Sequence, residues 1–201
     1  MAISIKSVMG MRIMKYAFIS GTPASGKSYL AAKVAKAVGA LHVEIDDLRE
    51  EMRSDMELRR WVDFFLNQNE VEYWKNTSCD QQWENLKKQS EAFWPKVLER
   101  IRKVQGSETQ AIFEGVNILP HLAAKDLQFP GIILVGGSLE DIFERNKKEP
   151  RWGKTEELQR KEAEAFYNCE RPKYTVEAEK HGYQVFSDIK EAEKKMLEIF
   201  T

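Results

Sequence analysis

Gly21-Thr22-Pro23-Ala24-Ser25-Gly26-Lys27-Ser28 is the stretch that decides the fold of this chain. It matches the pattern GxxxxGK[ST] at every defined position, and it follows an apolar run, YAFI, at residues 16–19. Glycines let the backbone turn tightly and approach an anion without a Cβ clash, so that successive N–H groups form an anion-binding nest. A helix that begins at the loop adds the positive end of its dipole. The pattern predicts a strand, a phosphate-binding loop and a helix in succession.

The residue types of the loop also predict its ligand. Lys27 can reach the β and γ phosphates of a nucleoside triphosphate, and the Ser28 hydroxyl can ligate Mg²⁺. We therefore expect ATP and Mg²⁺ as cofactors, with Ser28 as the metal ligand. The residues predicted to contact the nucleotide extend one position beyond the motif and are Gly21, Thr22, Pro23, Ala24, Ser25, Gly26, Lys27, Ser28 and Tyr29.

Apolar runs alternate with helical patterns through the rest of the chain. The runs lie at residues 16–19, 41–45, 111–113, 132–135 and 183–186. Near-continuous apolar runs between helices are typical of a parallel sheet that is covered on both faces. The sequence therefore predicts an α/β fold of three layers around a five-stranded parallel sheet.

The segment between the second and third runs is too long for a plain crossover. We expect one domain over residues 1–201, with a helical insert at residues 46–105 inside it. Aromatic side chains crowd this insert, and their helical spacing favours core packing over a stacking pocket. Because the insert follows a strand end, it is the predicted lobe for a second ligand.

Composition excludes several classes of partner. The 201 residues carry 31 Lys+Arg against 32 Asp+Glu, and a net charge of -1 disfavours broad binding to nucleic acid or to a membrane surface. No apolar run approaches the roughly 18–20 residues of a membrane helix, and no signal peptide is evident, so we expect a cytoplasmic protein. Cys79 and Cys169 allow either one disulfide or two thiols, and two thiols are the simpler interpretation inside a cell. Oligomeric state is left open.

Acidic residues follow two of the predicted strands. Ligands of such sheets bind outside the carboxyl ends of the strands, where Asp46 and Asp47 follow the second run and Glu114 follows the third. A carboxylate there can hold the water ligands of Mg²⁺ or accept the proton of an attacking hydroxyl. We favour Asp46 over Asp47 as the base or the acceptor-binding group. Helix capping by one of the aspartates and a solvated strand end for Glu114 are the alternatives.

Basic residues follow the fourth run. Arg145 and Arg151 could neutralise charge that develops on a transferred phosphoryl group, if the segment between them closes over the site. A solvated helix end is the alternative for this cluster. Arg49, in the insert, and Arg171, before Pro172, are the cations that we expect to bind an anionic acceptor.

These features together resemble the P-loop small-molecule and nucleotide kinases, the group that includes adenylate, shikimate and gluconate kinases. Residues 21–28 match the ATP loop of that family, and residues 45–49, IDDLR, are similar to its acceptor motif. Residues 171–174, RPKY, resemble the stretch in which the shikimate kinase arginine binds substrate. Residues 113–120, FEGVNILP, look like a segment of 2-phosphoglycerate kinases, with Asn117 in place of a histidine.

The resemblance implies a fold of the nucleoside monophosphate kinase type and transfer of the γ-phosphoryl group of ATP to a small-molecule acceptor, at a hydroxyl or a phosphate. The alternatives are a nucleoside or nucleotide kinase, and an ATP-binding regulatory protein without transferase activity. The predicted catalytic residues are Lys27, Asp46, Glu114, Arg145 and Arg151, and the predicted acceptor-binding residues are Asp46, Asp47, Arg49 and Arg171.

Overall fold

The centre of the molecule is a sheet of five parallel strands. The computed structural model describes residues 15–65 and 67–201. The strands are β1 (Tyr16–Ser20), β2 (Leu41–Glu44), β3 (Ala111–Glu114), β4 (Gly131–Leu134) and β5 (Gln184–Phe186). Their order in the sheet is β2-β3-β1-β4-β5. The predicted five-stranded parallel sheet is therefore confirmed, and β1, which leads into the phosphate loop, lies at its centre.

Ten α-helices surround the sheet in the described parts of the chain. A π-helical turn, Phe166–Glu170, lies between α8 and α9. The helices are α1 (Lys27–Val38), α2 (Leu48–Met52), α3 (Met56–Val62), α4 (Glu70–Asn76), α5 (Cys79–Gly106), α6 (Pro120–Asp126), α7 (Leu139–Lys148), α8 (Glu156–Ala165), α9 (Arg171–Lys180) and α10 (Ile189–Phe200).

Alternate residues of each strand pack against the two helical layers. From β1, Ala17 and Ile19 join a buried cluster with Leu30 of α1 and Met196 of α10. Phe18 points to the opposite face and joins side chains of α5, α6 and α9. Both faces of the sheet are thus buried among apolar side chains. Because of this, the strands appear in the sequence as nearly continuous apolar runs.

The chain between β2 and β3 forms four helices, α2 to α5. The last of them, α5, has 28 residues and contains Pro95 in its interior. Side chains from both halves of α5 join the buried cluster that covers one face of the sheet, namely Trp83, Leu86, Val97 and Ile101. One helix therefore serves both as the crossover to β3 and as the support of the insert.

The two cysteines form a disulfide, so the prediction of two free thiols is wrong. Cys79 and Cys169 lie 90 positions apart in the sequence, and their Cα atoms are 4.9 Å apart. Cys79 is the first residue of α5, and Cys169 belongs to the π-helical turn. Sequence spacing carries no signal for this pairing, because only the packing of α5 against the turn brings the two residues together.

No helix within residues 15–65 and 67–201 is both long enough and apolar enough to cross a lipid bilayer.

Candidate active site

The loop between β1 and α1 adopts the backbone that its glycines predict. Gly21 has φ +132° and Gly26 has φ +99°, values that L side chains rarely adopt. A Cβ at Gly21 would lie under 3.0 Å from the backbone of Leu134, at the end of the neighbouring strand β4. Glycine is therefore required at position 21 by both conformation and space. The loop turns at the carboxyl edge of the sheet, as predicted.

Lys27 is the first residue of α1 and lies inside this loop. Its Nζ donates a hydrogen bond to the carbonyl oxygen of Thr22 at 2.8 Å, and the side chain is buried. Burial lowers the pKa of Lys27, and the nearby charges of Glu114 and Asp46 act in the opposite direction. The ammonium is thus held at the centre of the loop between two carboxylates, where a phosphate group would meet it.

Several polar groups of the loop fit a phosphate–magnesium ligand. The hydroxyl oxygens of Thr22 and Ser25 are buried and have no hydrogen-bond partner in the described part of the chain. Buried hydroxyls without partners are rare in proteins, so such atoms point to a ligand. The Ser28 hydroxyl helps to lower the pKa of Glu114, so an alcohol and a carboxylate lie near each other beside Lys27. Oxygen donors of this kind are the ones that Mg²⁺ prefers.

Glu114 ends β3 and is 2 % exposed. Burial acts to raise the pKa of Glu114, but the nearby His42 and the charge of Lys27 outweigh it and hold the pKa below its ordinary value. His42 Nε2 lies 3.7 Å from the Glu114 carboxylate and 3.8 Å from that of Glu44. Sequence reasoning missed His42, although residues two apart on β2 share one side of the sheet and Glu44 pairs with Glu114 in register.

Asp46 and Asp47 follow β2 and differ in their surroundings. Asp46 is half-buried, its Oδ1 has no hydrogen-bond partner among the described residues, and it faces Gly115 closely. Asp47 is exposed, and although it occupies the position before α2, its side chain makes no capping hydrogen bond. The charge of Asp46, like that of Glu114, reaches Lys27. The structure therefore places Asp46 near Lys27 and leaves Asp47 exposed, and the choice of Asp46 as the base or acceptor-binding group stays a prediction.

Arg49 is linked by hydrogen bonds through Asn117 to α5. The Arg49 Nη2 donates to Asn117 Oδ1 at 3.1 Å, and Asn117 Nδ2 donates to Ser90 Oγ of α5 at 2.9 Å. The Arg49 Nε is buried and has no partner in the described ranges. One nitrogen of the guanidinium is therefore fixed by the protein, and another is left for a ligand.

The two arginines that follow β4 lie on the nucleotide side of the site. Arg145, on α7, donates to the carbonyl oxygens of Ala24 at 3.3 Å and Ser25 at 3.1 Å, so it supports the phosphate loop directly. Arg151 lies in the bend between α7 and α8, is exposed, and its charge lowers the pKa of Lys27. The adjacent Trp152 packs against aromatic side chains of the insert, namely Phe65, Tyr73 and Trp74.

Arg171, the first residue of α9, is engaged elsewhere. Its Nη1 donates to the carbonyl oxygen of Gly137 at 2.7 Å, and its guanidinium lies 4.8 Å from the ring centroid of Tyr167. These contacts brace the segment after β4. A direct contact between Arg171 and an acceptor stays a prediction, because its hydrogen bond is made to the backbone of this segment.

Comparisons with known proteins identify the fold. No protein-family model matches the chain, and no curated protein matches it. Among solved structures, shikimate kinase from Acinetobacter baumannii in complex with shikimate aligns with a TM-score of 0.54 and 13 % identity, over 92 % of this chain and 91 % of that chain. Deoxyadenosine kinase from M. mycoides with bound dATP aligns with a TM-score of 0.48 and 16 % identity, over 92 % and 96 %.

The fold and the comparisons agree on a class of structure. The chain has the fold of the P-loop small-molecule kinases, with one parallel sheet of five strands and a phosphate loop after the central strand. This is the fold that the resemblance in the sequence implied. At 13 % identity the likeness to shikimate kinase concerns the fold.

Proposed function

We propose that this protein is an ATP-dependent kinase that transfers the γ-phosphoryl group to a small-molecule acceptor. The observation that supports the proposal best is the convergence at one sheet edge of Lys27, two carboxylates and an arginine-bearing bend. The charges of Glu114, Asp46 and Arg151 all act on the pKa of Lys27. These are the groups that phosphoryl transfer needs for nucleotide binding, for proton acceptance and for neutralisation of developing charge.

Each residue takes a defined part in the transfer. Lys27 binds the β and γ phosphates, and Arg145 holds the loop that surrounds them. Asp46 orients the acceptor hydroxyl and accepts its proton while the acceptor oxygen bonds to the γ phosphorus. The bond from that phosphorus to the β–γ bridging oxygen breaks, and ADP leaves. Arg151 approaches the transferred group from the bend.

Ser28 and Glu114 are the residues that would hold Mg²⁺. The ion supplies neutralisation of phosphate charge when it is bound. Glu114 carries its negative charge at neutral pH because its pKa lies below the ordinary value. His42, which contacts Glu114, keeps the carboxylate oriented toward the loop.

Two other functions are weighed against this one. A nucleoside or nucleotide kinase uses the same machinery, and it differs only in the acceptor. An ATP-binding regulatory protein without transferase activity needs the phosphate loop but no base, so a half-buried Asp46 with an unpartnered oxygen favours the kinase. We retain the cytoplasm as the proposed location, although disulfides are uncommon in reducing compartments.

The adjacent aspartates offer a matched test. The Asp46→Asn variant should bind MgATP as the wild type does but transfer phosphate at least about 100-fold more slowly, because the general base is gone. Asp47→Asn should transfer at a rate close to that of the wild type. Radiolabelled ATP and a panel of hydroxyl compounds measure transfer, and calorimetry measures binding. Equal rates for the two variants would remove Asp46 from the mechanism, and ATP binding without any labelled product would favour the regulatory protein.

A further inference from the structure

Glu170 is an acidic residue with a buried carboxyl oxygen that neither the sequence patterns nor the proposed mechanism uses. It is the last residue of the π-helical turn Phe166–Glu170, which interrupts the helical run from α8 to α9. π-Helical turns are rare and occur frequently at functional sites, because the extra residue displaces the side chains that follow it. The turn also carries Cys169, whose disulfide to Cys79 fixes it against the insert.

The surroundings of Glu170 place it at the cleft of the candidate active site. Tyr174, four residues after Glu170, donates its hydroxyl to the carbonyl oxygen of Val116 at 2.6 Å, two residues after Glu114, and the charge of Glu170 acts on both Tyr174 and Lys27. The charge of Asp46 acts on Lys27 and Tyr174 as well. Glu170 and Asp46 therefore both lie near Lys27 and Tyr174, the first at the end of the turn before α9 and the second after the end of β2.

The carboxyl group of Glu170 has an oxygen with no partner within the described protein. Its Oε2 is buried and makes no hydrogen bond to any described residue. Burial raises the pKa of Glu170 to about 8, and the charge of Lys27 lowers it only in part. Glu162, which lies on α8 four residues before the turn, is by contrast a buried glutamate that has a hydrogen-bond partner. It is 1 % exposed, and its Oε2 accepts a hydrogen bond from Asn146 at 2.8 Å.

An unsatisfied buried carboxyl is costly, so its presence needs an explanation. Two other atoms in the same cleft are also buried without partners among the described residues, the Oδ1 of Asp46 and the Nε of Arg49. We propose that Glu170 is an acceptor-binding residue that takes a hydrogen bond from a hydroxyl or ammonium group of the phosphoryl acceptor. The inference rests on the proposed kinase function and extends it to one side of the acceptor.

The proposal limits the class of acceptor. Burial raises the pKa of Glu170 to about 8, so its carboxyl keeps a proton at neutral pH, and its unpartnered oxygen can accept a hydrogen bond without adding a charge beside Asp46. An unphosphorylated hydroxyl compound fits this arrangement, whereas a phosphorylated one would bring two further negative charges next to Asp46. The nucleotide kinase alternative is thereby disfavoured relative to kinases of unphosphorylated compounds.

A comparison of two alanine variants tests whether Glu170 is reserved for a ligand. We expect Glu170→Ala to leave the melting temperature of the ligand-free protein within about 2 °C of the wild type or above it, because no hydrogen bond is lost. Glu162→Ala should lower it by about 4 °C or more, because the buried Asn146 loses one of the two acceptors of its amide group. An equal decrease in both variants would make Glu170 a structural residue and overturn the proposal.

Kinetics with named probes test the acceptor side. The probes are three pairs: glycerol and glycerol 3-phosphate, ethanolamine and phosphoethanolamine, deoxyadenosine and its 5′-monophosphate. We expect product from an unphosphorylated member, a KM for it at least about tenfold higher in Glu170→Gln, and an unchanged KM for ATP. Preference for a phosphorylated member, or an unchanged acceptor KM, would overturn the proposal. Absence of product from all six would count against the kinase function, while the melting temperatures would still decide the role of Glu170.

Discussion

The proposed nucleotide side and the proposed acceptor side of the candidate active site are built in different ways. The nucleotide side consists of eight consecutive residues, and its binding groups are backbone N–H groups, hydroxyls and one lysine. The acceptor side draws Asp46, Arg49, Asn117 and Glu170 from the end of β2, from α2, from the segment after β3 and from the π-helical turn. A local motif thus carries the proposed nucleotide site, whereas tertiary structure assembles the proposed acceptor site.

The largest effect is expected from the loop itself. Gly21→Ala should abolish MgATP binding, because its Cβ would clash with the backbone of Leu134. Gly39→Ala is the control, since Gly39 has φ +70° but no atom lies within 4 Å of the place that a Cβ would take, and the change should cost only about 1–2 kcal/mol of folding free energy. Calorimetry and circular dichroism check binding and folding. Retained MgATP affinity in Gly21→Ala would show that binding does not depend on the backbone conformation of the loop at position 21, and would contradict the prediction.

A pH titration of stability should sharpen the contrast on the acceptor side. The folded pKa of Glu170, about 8, lies above the ordinary value of 4.5, so the folded state holds a proton that the unfolded state has lost. The contribution of Glu170 to the free energy of unfolding is greatest below pH 4.5 and declines as the pH rises toward 8. The upper bound of this contribution is about 5 kcal/mol. Glu170→Gln should remove this decline in denaturant midpoints measured from about pH 5 to 9. If the denaturant midpoints of the wild type and of Glu170→Gln changed with pH in the same way, the raised pKa of Glu170 would be contradicted.

Reduction of the disulfide should loosen the acceptor side and spare the nucleotide side. Cys79 and Cys169 close a loop across 90 positions, and such a crosslink contributes about 2–4 kcal/mol of folding free energy. Cys79→Ser should therefore lower the melting temperature by roughly 5–15 °C and leave the MgATP dissociation constant nearly unchanged. Addition of reductant to the wild type should reproduce the decrease. A wild type that does not respond to reductant would show that the crosslink does not form in solution.

The smallest effect is expected from the hydrogen bonds that Asn117 makes to Arg49 and to Ser90 of α5. Asn117→Ala removes the hydrogen bonds to Arg49 and Ser90 and should cost about 1–3 kcal/mol of folding free energy. Asn168→Ala, at an exposed position, should be close to neutral. Urea denaturation measures both variants. Equal midpoints would mean that Arg49 is positioned by other contacts.

The difference between the two sides also explains what sequence could predict. The loop at residues 21–28 and the five apolar runs predicted the five-stranded parallel sheet, because each signal is local, whereas the order of the strands came from the structure. The helix caps at Ser138 and Asp188 are likewise carried by neighbouring residues, and both side chains accept the backbone hydrogen bonds of a cap. Nothing local marks the disulfide, the contact between His42 and Glu114, or the π-helical turn. These depend on elements that meet only after folding.

Titration of the protein with Mg²⁺ and a non-hydrolysable ATP analogue tests the central claim most directly. The account predicts one site on the wild type, binding weakened by about tenfold or more in Lys27→Ala, and unchanged binding in Lys33→Ala, whose exposed side chain pairs with Glu193. Absence of binding to the wild type, or equal affinity in Lys27→Ala, would contradict it.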